Sequence, residues 1–160
     1  LGYNQPSETD TGKVFMDSLL LERVDSDVFT FAELQGKVIL LDFWATWCKP
    51  CREQHPQVEQ LRAQLDTSRF EVVTISIDRD KARWKQFFKT HRWKGIHLYV
   101  GWKEVHPLFS MIRQEVKLAN GKTISSASVP QYFLVDSALN VTKIEDISDP
   151  ALVTRIRAIL

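Results

Sequence analysis

Cys48 and Cys51 are the only cysteines in the 160-residue chain, and two residues, Lys49 and Pro50, separate them. That spacing narrows the chemistry. A structural bridge gains most when it closes a long loop, and this loop is too short to gain much. A closed zinc site needs four ligands, of which two thiols supply half. Thiol–disulfide exchange needs only the pair, because one thiolate attacks a disulfide and the second resolves the mixed disulfide.

The attacking sulfur must be ionised near neutral pH, and a helix N-terminus favours that through its free N–H groups and its dipole. Val38–Phe43 (VILLDF) is a nearly continuous apolar run, which reads as a strand buried on both faces. Cys48–Leu65 reads as a helix with Val58, Leu61 and Leu65 on its inner face, Pro50 in its first turn and Pro56 further along. Cys48 then stands at the helix start, with an expected pKa below the free value of about 8.5. Cys51, inside the first turn, is expected to be the more shielded. Spacing alone leaves a structural bridge, half a metal site or idle thiols open; the strand-to-helix context favours redox work.

Phe70–Ile77 (FEVVTISI) is a second buried strand, followed by a helix to about His91 that Asp78 or Asp80 caps and that buries Trp84, Phe87 and Phe88. Strand, crossover helix and strand in this order make a βαβ unit with parallel strands. Upstream, Ser18–Val24 and Val28–Phe31 are candidate strands about Asp25-Ser26-Asp27, and Thr30 with Glu33 fits a capping box before Gly36. Val105, Leu108, Phe109, Ile112 and Val116 fit one helix face, and Asn120-Gly121 marks a turn. Gln131–Val135 and Val141–Ile144 read as antiparallel strands; Asp149-Pro150 then opens a closing helix with Leu152, Val153, Ile156 and Ile159 inward.

Composition sets the frame. Hydrophobic residues make up 44% and charged residues 26%, with Lys+Arg 21 against Asp+Glu 20. These values exclude a disordered chain and a disulfide-dense miniprotein, and no global charge calls for nucleic acid or an anionic membrane. No apolar run approaches the roughly 20 residues of a membrane span.

The run Asp42-Phe43-Trp44-Ala45-Thr46-Trp47-Cys48-Lys49-Pro50-Cys51, with Pro56 after it, resembles the thioredoxin superfamily, above all the bacterial envelope thiol-disulfide oxidoreductases, including those serving cytochrome c maturation. The resemblance covers Val38 to about His91 and Ser128 to Leu160. It implies an α/β three-layer sandwich: a central mixed sheet with helices on both faces, an N-terminal β extension, and an insertion of about residues 98–127. By the same resemblance Pro130 is a cis-proline facing the cysteines, and the Val129 backbone pairs with substrate. Asp42 is a buried acid whose pKa desolvation raises and which takes a proton from Cys51. Trp47 is a flat apolar rest for substrate, Trp44 belongs to the core, Pro50 stiffens the loop, and Lys49 sets a cation beside the thiolate. The expected activity is exchange of a Cys48–Cys51 dithiol/disulfide with protein substrates, more as reductant, by a monomer without a cofactor. Without a G-x-G-x-x-G nucleotide motif, a separate electron-donor protein must reset the pair.

Other readings are weaker. His55, one turn after Cys51, could join the cysteines in a copper site with His91, His97 or His106, but these sit in no recognisable motif. A thiol peroxidase would attack from a Thr/Pro-rich loop, of which only Thr46 is a trace. Lys81 to Lys103 carries only basic charges among Trp84, Trp93 and Trp102. A solvated helix face explains this better than nucleic-acid binding. The polar stretch Leu1–Lys13 reads as a flexible leader before a domain spanning residues 14–160. With no initial Met it favours a trimmed, periplasmic or otherwise extracytoplasmic protein, tethered to a membrane outside this chain, over a cytoplasmic one.

Overall fold

The computed structural model describes residue 16 and residues 18–160; the expected leader over residues 1–13 lies outside them. In chain order come β1 (Leu21–Arg23), β2 (Val28–Phe29), a 3-10 turn (Phe31–Leu34), β3 (Val38–Trp44), α1 (Lys49–Ala63) and β4 (Phe70–Ser76). Then follow α2 (Lys81–Thr90), β5 (Ile96–Tyr99), α3 (Pro107–Ser110), β6 (Arg113–Lys117), β7 (Thr123–Ala127), β8 (Gln131–Val135), β9 (Val141–Ile144) and α4 (Leu152–Arg157). Among the described residues no helix is long and apolar enough to cross a membrane.

β3 and β4 are buried along their whole length because helices cover both faces. They pair in parallel, β8 lies antiparallel on the other side of β3, and the sheet order is β2-β1-β5-β4-β3-β8-β9. Alternate residues of each strand face opposite layers. Leu40, Val72 and Leu134 pack with Val58 and Leu61 of α1 and Leu152 of α4. Leu41, Ile75 and Phe133 pack with Trp84 of α2 and with Leu108 and Phe109 of α3. This is the expected three-layer arrangement around a mixed sheet.

Side-chain chemistry at the element ends explains where they start. Asp80 caps α2, its carboxylate accepting the Ala82 N–H at 2.9 Å and the Arg83 N–H at 3.3 Å. The Glu33 carboxylate accepts the Thr30 N–H at 3.2 Å before the 3-10 turn. Asp136 shapes the β8–β9 turn by accepting the Ala138 and Asn140 N–H groups, each at 2.9 Å. Gly95 opens β5 at φ +104, where a Cβ would meet the Val72 carbonyl oxygen at 2.7 Å, so only glycine lets the chain come that close to β4.

Three expectations fail here. The residues from Val105 to Val116 do not form one helix: the chain makes the four-residue α3 and then enters β6. Leu108, Phe109 and Ile112 are buried, but Val105 is 94% exposed and Val116 40% exposed. Helical spacing held only over the single turn that touches the core. β5 was not foreseen; its Leu98 and Tyr99 lie in the central sheet and so belong to the core, not to an insertion. Ile159 lies beyond the end of α4 and is exposed, whereas Leu152 and Ile156 are buried.

Candidate active site

Cys48 is the N-cap of α1, in an extended conformation, and its Sγ accepts the Cys51 N–H at 3.2 Å. Pro50 sits in the first turn, where its missing N–H leaves no gap in the helix. The sulfur therefore lies at the positive end of a four-turn helix, on one of the N–H groups that the helix leaves free. In this structure it is bonded to the Cys51 sulfur, with the two Cα atoms 5.3 Å apart.

Shielding does not separate the two cysteines as expected. Cys48 is 4% exposed and Cys51 3% exposed. Their difference is one of place: Cys51 lies within the helical turn, while Cys48 Sγ lies 3.6 Å from the Val129 carbonyl oxygen. The Val129–Pro130 peptide is cis. The loop before β8 and the start of α1 thus meet at the sulfur.

The approach to Cys48 is held by a residue that sequence reasoning treated only as a helix cap. The Asp78 carboxylate is buried and turned inward to the loop Ala45–Trp47. It accepts the Thr46 N–H at 3.0 Å, the Thr46 hydroxyl at 2.6 Å and the Ser76 hydroxyl at 2.6 Å. Tyr99 donates its hydroxyl to the Asp78 backbone carbonyl at 2.7 Å. The signal available in the sequence was two acids, Asp78 and Asp80, at one strand end; a helix has one N-cap, so the other was free for a second task. Because Asp78 occupies the Thr46 hydroxyl, the trace of a peroxidase loop loses its donor. Next to this loop Trp47 is 55% exposed, whereas Trp44 is fully buried. Trp44 packs on Phe87, Phe88 and Trp93 with ring centroids 4.6–5.8 Å apart.

Asp42 sits inside β3, in register with Thr74 on β4 and Tyr132 on β8. It is 3% exposed, and its Oδ1 has no hydrogen-bond partner among the described residues. Loss of hydration penalises the charged form, so burial pushes its pKa up to about 7. Burial, and then the charge of Asp42, raise the Tyr132 phenol; its hydroxyl donates to Gln54 Oε1 at 3.1 Å. Asp42 is thus a carboxyl that can hold or release a proton near neutral pH.

Lys49 is 76% exposed at its side chain and lies 3.6 Å from Glu53. An exposed pair of this kind contributes little, and Glu53 offsets part of the field that Lys49 would place on Cys48. The histidines are occupied elsewhere. His55 is buried, stacks on Trp93 at 3.5 Å and has Nε2 2.9 Å from Glu59 Oε1; burial lowers its pKa. His97 lies between the Thr74 hydroxyl at 2.7 Å and the Trp93 carbonyl at 2.8 Å, and His106 Nδ1 accepts the Leu108 N–H. Among the described residues no cluster of His, Cys, Asp and Glu could hold a metal. In the basic segment, Lys81 and Lys85 pair with Glu22, and Trp84 is buried.

A family model described as Thioredoxin-like matches residues 36–141, more than half of the chain. The chain belongs to the thioredoxin-like family. Among curated proteins, this thioredoxin-like chain is 35% identical over 69 residues to the thiol-disulfide oxidoreductase ResA of Oceanobacillus iheyensis, covering 43% of this chain and 36% of that protein. It is 36% identical over 56 residues to the thioredoxin-like protein YneN of Bacillus subtilis, covering 35% and 32%. The matched stretch thus spans about a third of the length of these relatives. Among solved structures, the thioredoxin domain of a thiol-disulfide oxidoreductase from Bacteroides vulgatus superposes with TM-score 0.68 at 17% identity, over 89% of this chain and 93% of that one. A secreted Mycobacterium tuberculosis disulfide oxidoreductase superposes with TM-score 0.65 at 18% identity, over 90% and 98%. Those likenesses establish the fold.

Proposed function

We propose that this chain is a protein thiol-disulfide oxidoreductase that exchanges its Cys48–Cys51 dithiol/disulfide with protein substrates, in the reducing direction. The observation that carries the reading is Cys48 at the N-cap of α1, bonded to Cys51. The relatives named for this activity support it.

In the reduced protein the Cys48 thiolate attacks one sulfur of a substrate disulfide. The substrate S–S bond breaks, a mixed disulfide forms, and the other substrate sulfur leaves as a thiolate. Cys51 then loses its proton, for which Asp42 is the acceptor through water, and attacks Cys48 Sγ. The second substrate sulfur leaves, and the Cys48–Cys51 bond carries away the two electrons' worth of oxidation. A dithiol donor protein returns the pair to the reduced state. Trp47 and Pro50 flank the incoming substrate, Lys49 stands beside the thiolate, and the Val129 backbone, held by the cis bond to Pro130, pairs with the substrate chain. The working unit is one domain from residue 14 onward, with the segment after β5 up to Ala127 inserted before that loop. Relatives of the ResA kind support an extracytoplasmic location.

Single-cysteine variants test this reading. Cys51→Ser should accumulate a mixed disulfide with a protein substrate, seen as a mass adduct that dithiothreitol reverses, while Cys48→Ser should form none. Equal adducts on both variants, or none on either, would remove the proposed roles.

A further inference from the structure

β6 and β7 form a separate two-stranded sheet that leads directly into the Val129–Pro130 loop. Its turn fixes which backbone groups are free. The Leu118 N–H donates to the Lys122 carbonyl at 2.8 Å, and the Gly121 N–H donates to the Leu118 carbonyl at 3.0 Å, with Gly121 at φ +82. That closes a hairpin with a glycine bulge and makes Leu118 and Lys122 a hydrogen-bonded pair. Hydrogen-bonded and non-hydrogen-bonded pairs alternate along an antiparallel ladder. The register pairs Lys117 with Thr123, Glu115 with Ser125 and Arg113 with Ala127, so these are the non-hydrogen-bonded pairs. The N–H and C=O groups of Thr123, Ser125 and Ala127 therefore point away from β6. Among the described residues β6 is the one strand that β7 pairs with, so no other strand covers this edge.

We infer that this outer edge of β7 is a docking edge for an extended segment of the protein substrate, which adds to it as a third strand while its reactive sulfur lies at Cys48. The inference rests on the oxidoreductase reading above and says how the substrate is held. Its support is continuity. Val129, two residues beyond Ala127, has its carbonyl 3.6 Å from Cys48 Sγ, so the free edge and the reactive sulfur lie along one line of chain. From Thr123 to Ala127 the edge runs about 13 Å at about 3.3 Å per residue, and the chain then bends at Val129 to reach the sulfur. An edge of alternating donors and acceptors is matched by another extended backbone and not by a folded side-chain surface. Such an edge reads backbone, so it accepts many sequences and selects for substrates that are extended or locally unfolded around their cysteine.

The test compares a protein substrate with a small one. Ser125→Pro removes a donor from the outer edge and leaves the bonds between β6 and β7 intact; Glu115→Pro makes the mirror change on the outer edge of β6. With insulin, Ser125→Pro should lower kcat/KM about five- to tenfold. With dithiobis(nitrobenzoate), which has no backbone to pair, its rate should stay at the wild-type value, and Glu115→Pro should change neither rate. A wild-type insulin rate in Ser125→Pro, or an equal loss in Glu115→Pro, overturns the docking edge and leaves the oxidoreductase reading standing. Wild-type protein that reduces neither compound overturns both. A second measurement does not depend on the proline variants. In the mixed disulfide of Cys51→Ser with a one-cysteine insulin B-chain peptide, the Ser125 and Ala127 amides should exchange with solvent more slowly than in the free variant. The Ile124 and Ser126 amides, already bonded to β6, should not change. Unchanged exchange at Ser125 and Ala127 overturns the proposal.

Discussion

Replacing Asp42 by Asn should make the oxidised protein more stable at high pH than at low pH, relative to the parent. Asp42 has an ordinary value of 3.8 and is pushed to about 7 by burial, with no partner on Oδ1. For an acid raised in this way, the folded state holds a proton that the unfolded chain has lost. Stability is therefore lost as pH rises from about 4 to about 7, and the loss is complete above that. The linkage relation gives a loss of about 1 kcal/mol at about pH 4.5 and about 4 kcal/mol at about pH 8. Asn cannot ionise, so it removes both values and adds one constant, the cost of its own buried amide. Subtracting the two pH values cancels that constant and the contribution of every other titrating group that the substitution leaves alone. The stability of Asp42→Asn relative to the parent should rise by about 3 kcal/mol between those pH values, from urea unfolding curves with unchanged slope. A relative stability flat to within about 0.5 kcal/mol would show that the carboxylate is hydrated or paired, and would end its proposed role as proton acceptor for Cys51.

His97 should give the opposite dependence. Burial lowers it from 6.5 to about 4, so its contribution is complete above about pH 6.5 and is lost as pH falls toward about 4. His97→Gln should flatten the parent's acid-side loss by about 2–3 kcal/mol, allowing for the part of the ring near solvent; an unchanged acid limb in urea titrations would contradict this. Asp78→Ala strips the acceptor from the Thr46 N–H, the Thr46 hydroxyl and the Ser76 hydroxyl together and should destabilise by about 3–5 kcal/mol. Thr46→Val, which removes one of those bonds, should cost about 1 kcal/mol. If thermal or urea unfolding shows equal losses for the two, Asp78 is not the clamp on the loop before Cys48.

The parts of the fold that one local signal determines were legible in the sequence. VILLDF is a nearly continuous apolar run and FEVVTIS is rich in β-branched residues, and both are the buried central strands; Cys48, just before Lys49-Pro50, is the helix start that proline at that position favours. What stayed hidden depends on partners far along the chain. β5 has the mixed pattern Ile96-His97-Leu98-Tyr99, and it is a strand because Gly95 lets it lie against β4 and because β1 closes its other edge. β6 has almost no apolar content and exists only through its turn at Asn120-Gly121 and its pairing with β7. In the site, the two cysteines announce themselves by type and spacing, and Asp42 through the family resemblance and its place inside an apolar run. Asp78 does not, because its meaning comes from Thr46, thirty-two residues away, folded under the end of β4.

The central claim is that the sulfur of Cys48 is an anion near neutral pH because it caps a helix. The direct measurement is the rate of iodoacetamide alkylation of Cys48 in the reduced protein as a function of pH, with adduct position read by mass spectrometry. A single titration with a midpoint below about 7.5 is predicted, in the range of thiols at helix N-termini. A midpoint at or above the free value of about 8.5, or preferential alkylation of Cys51, would contradict the account.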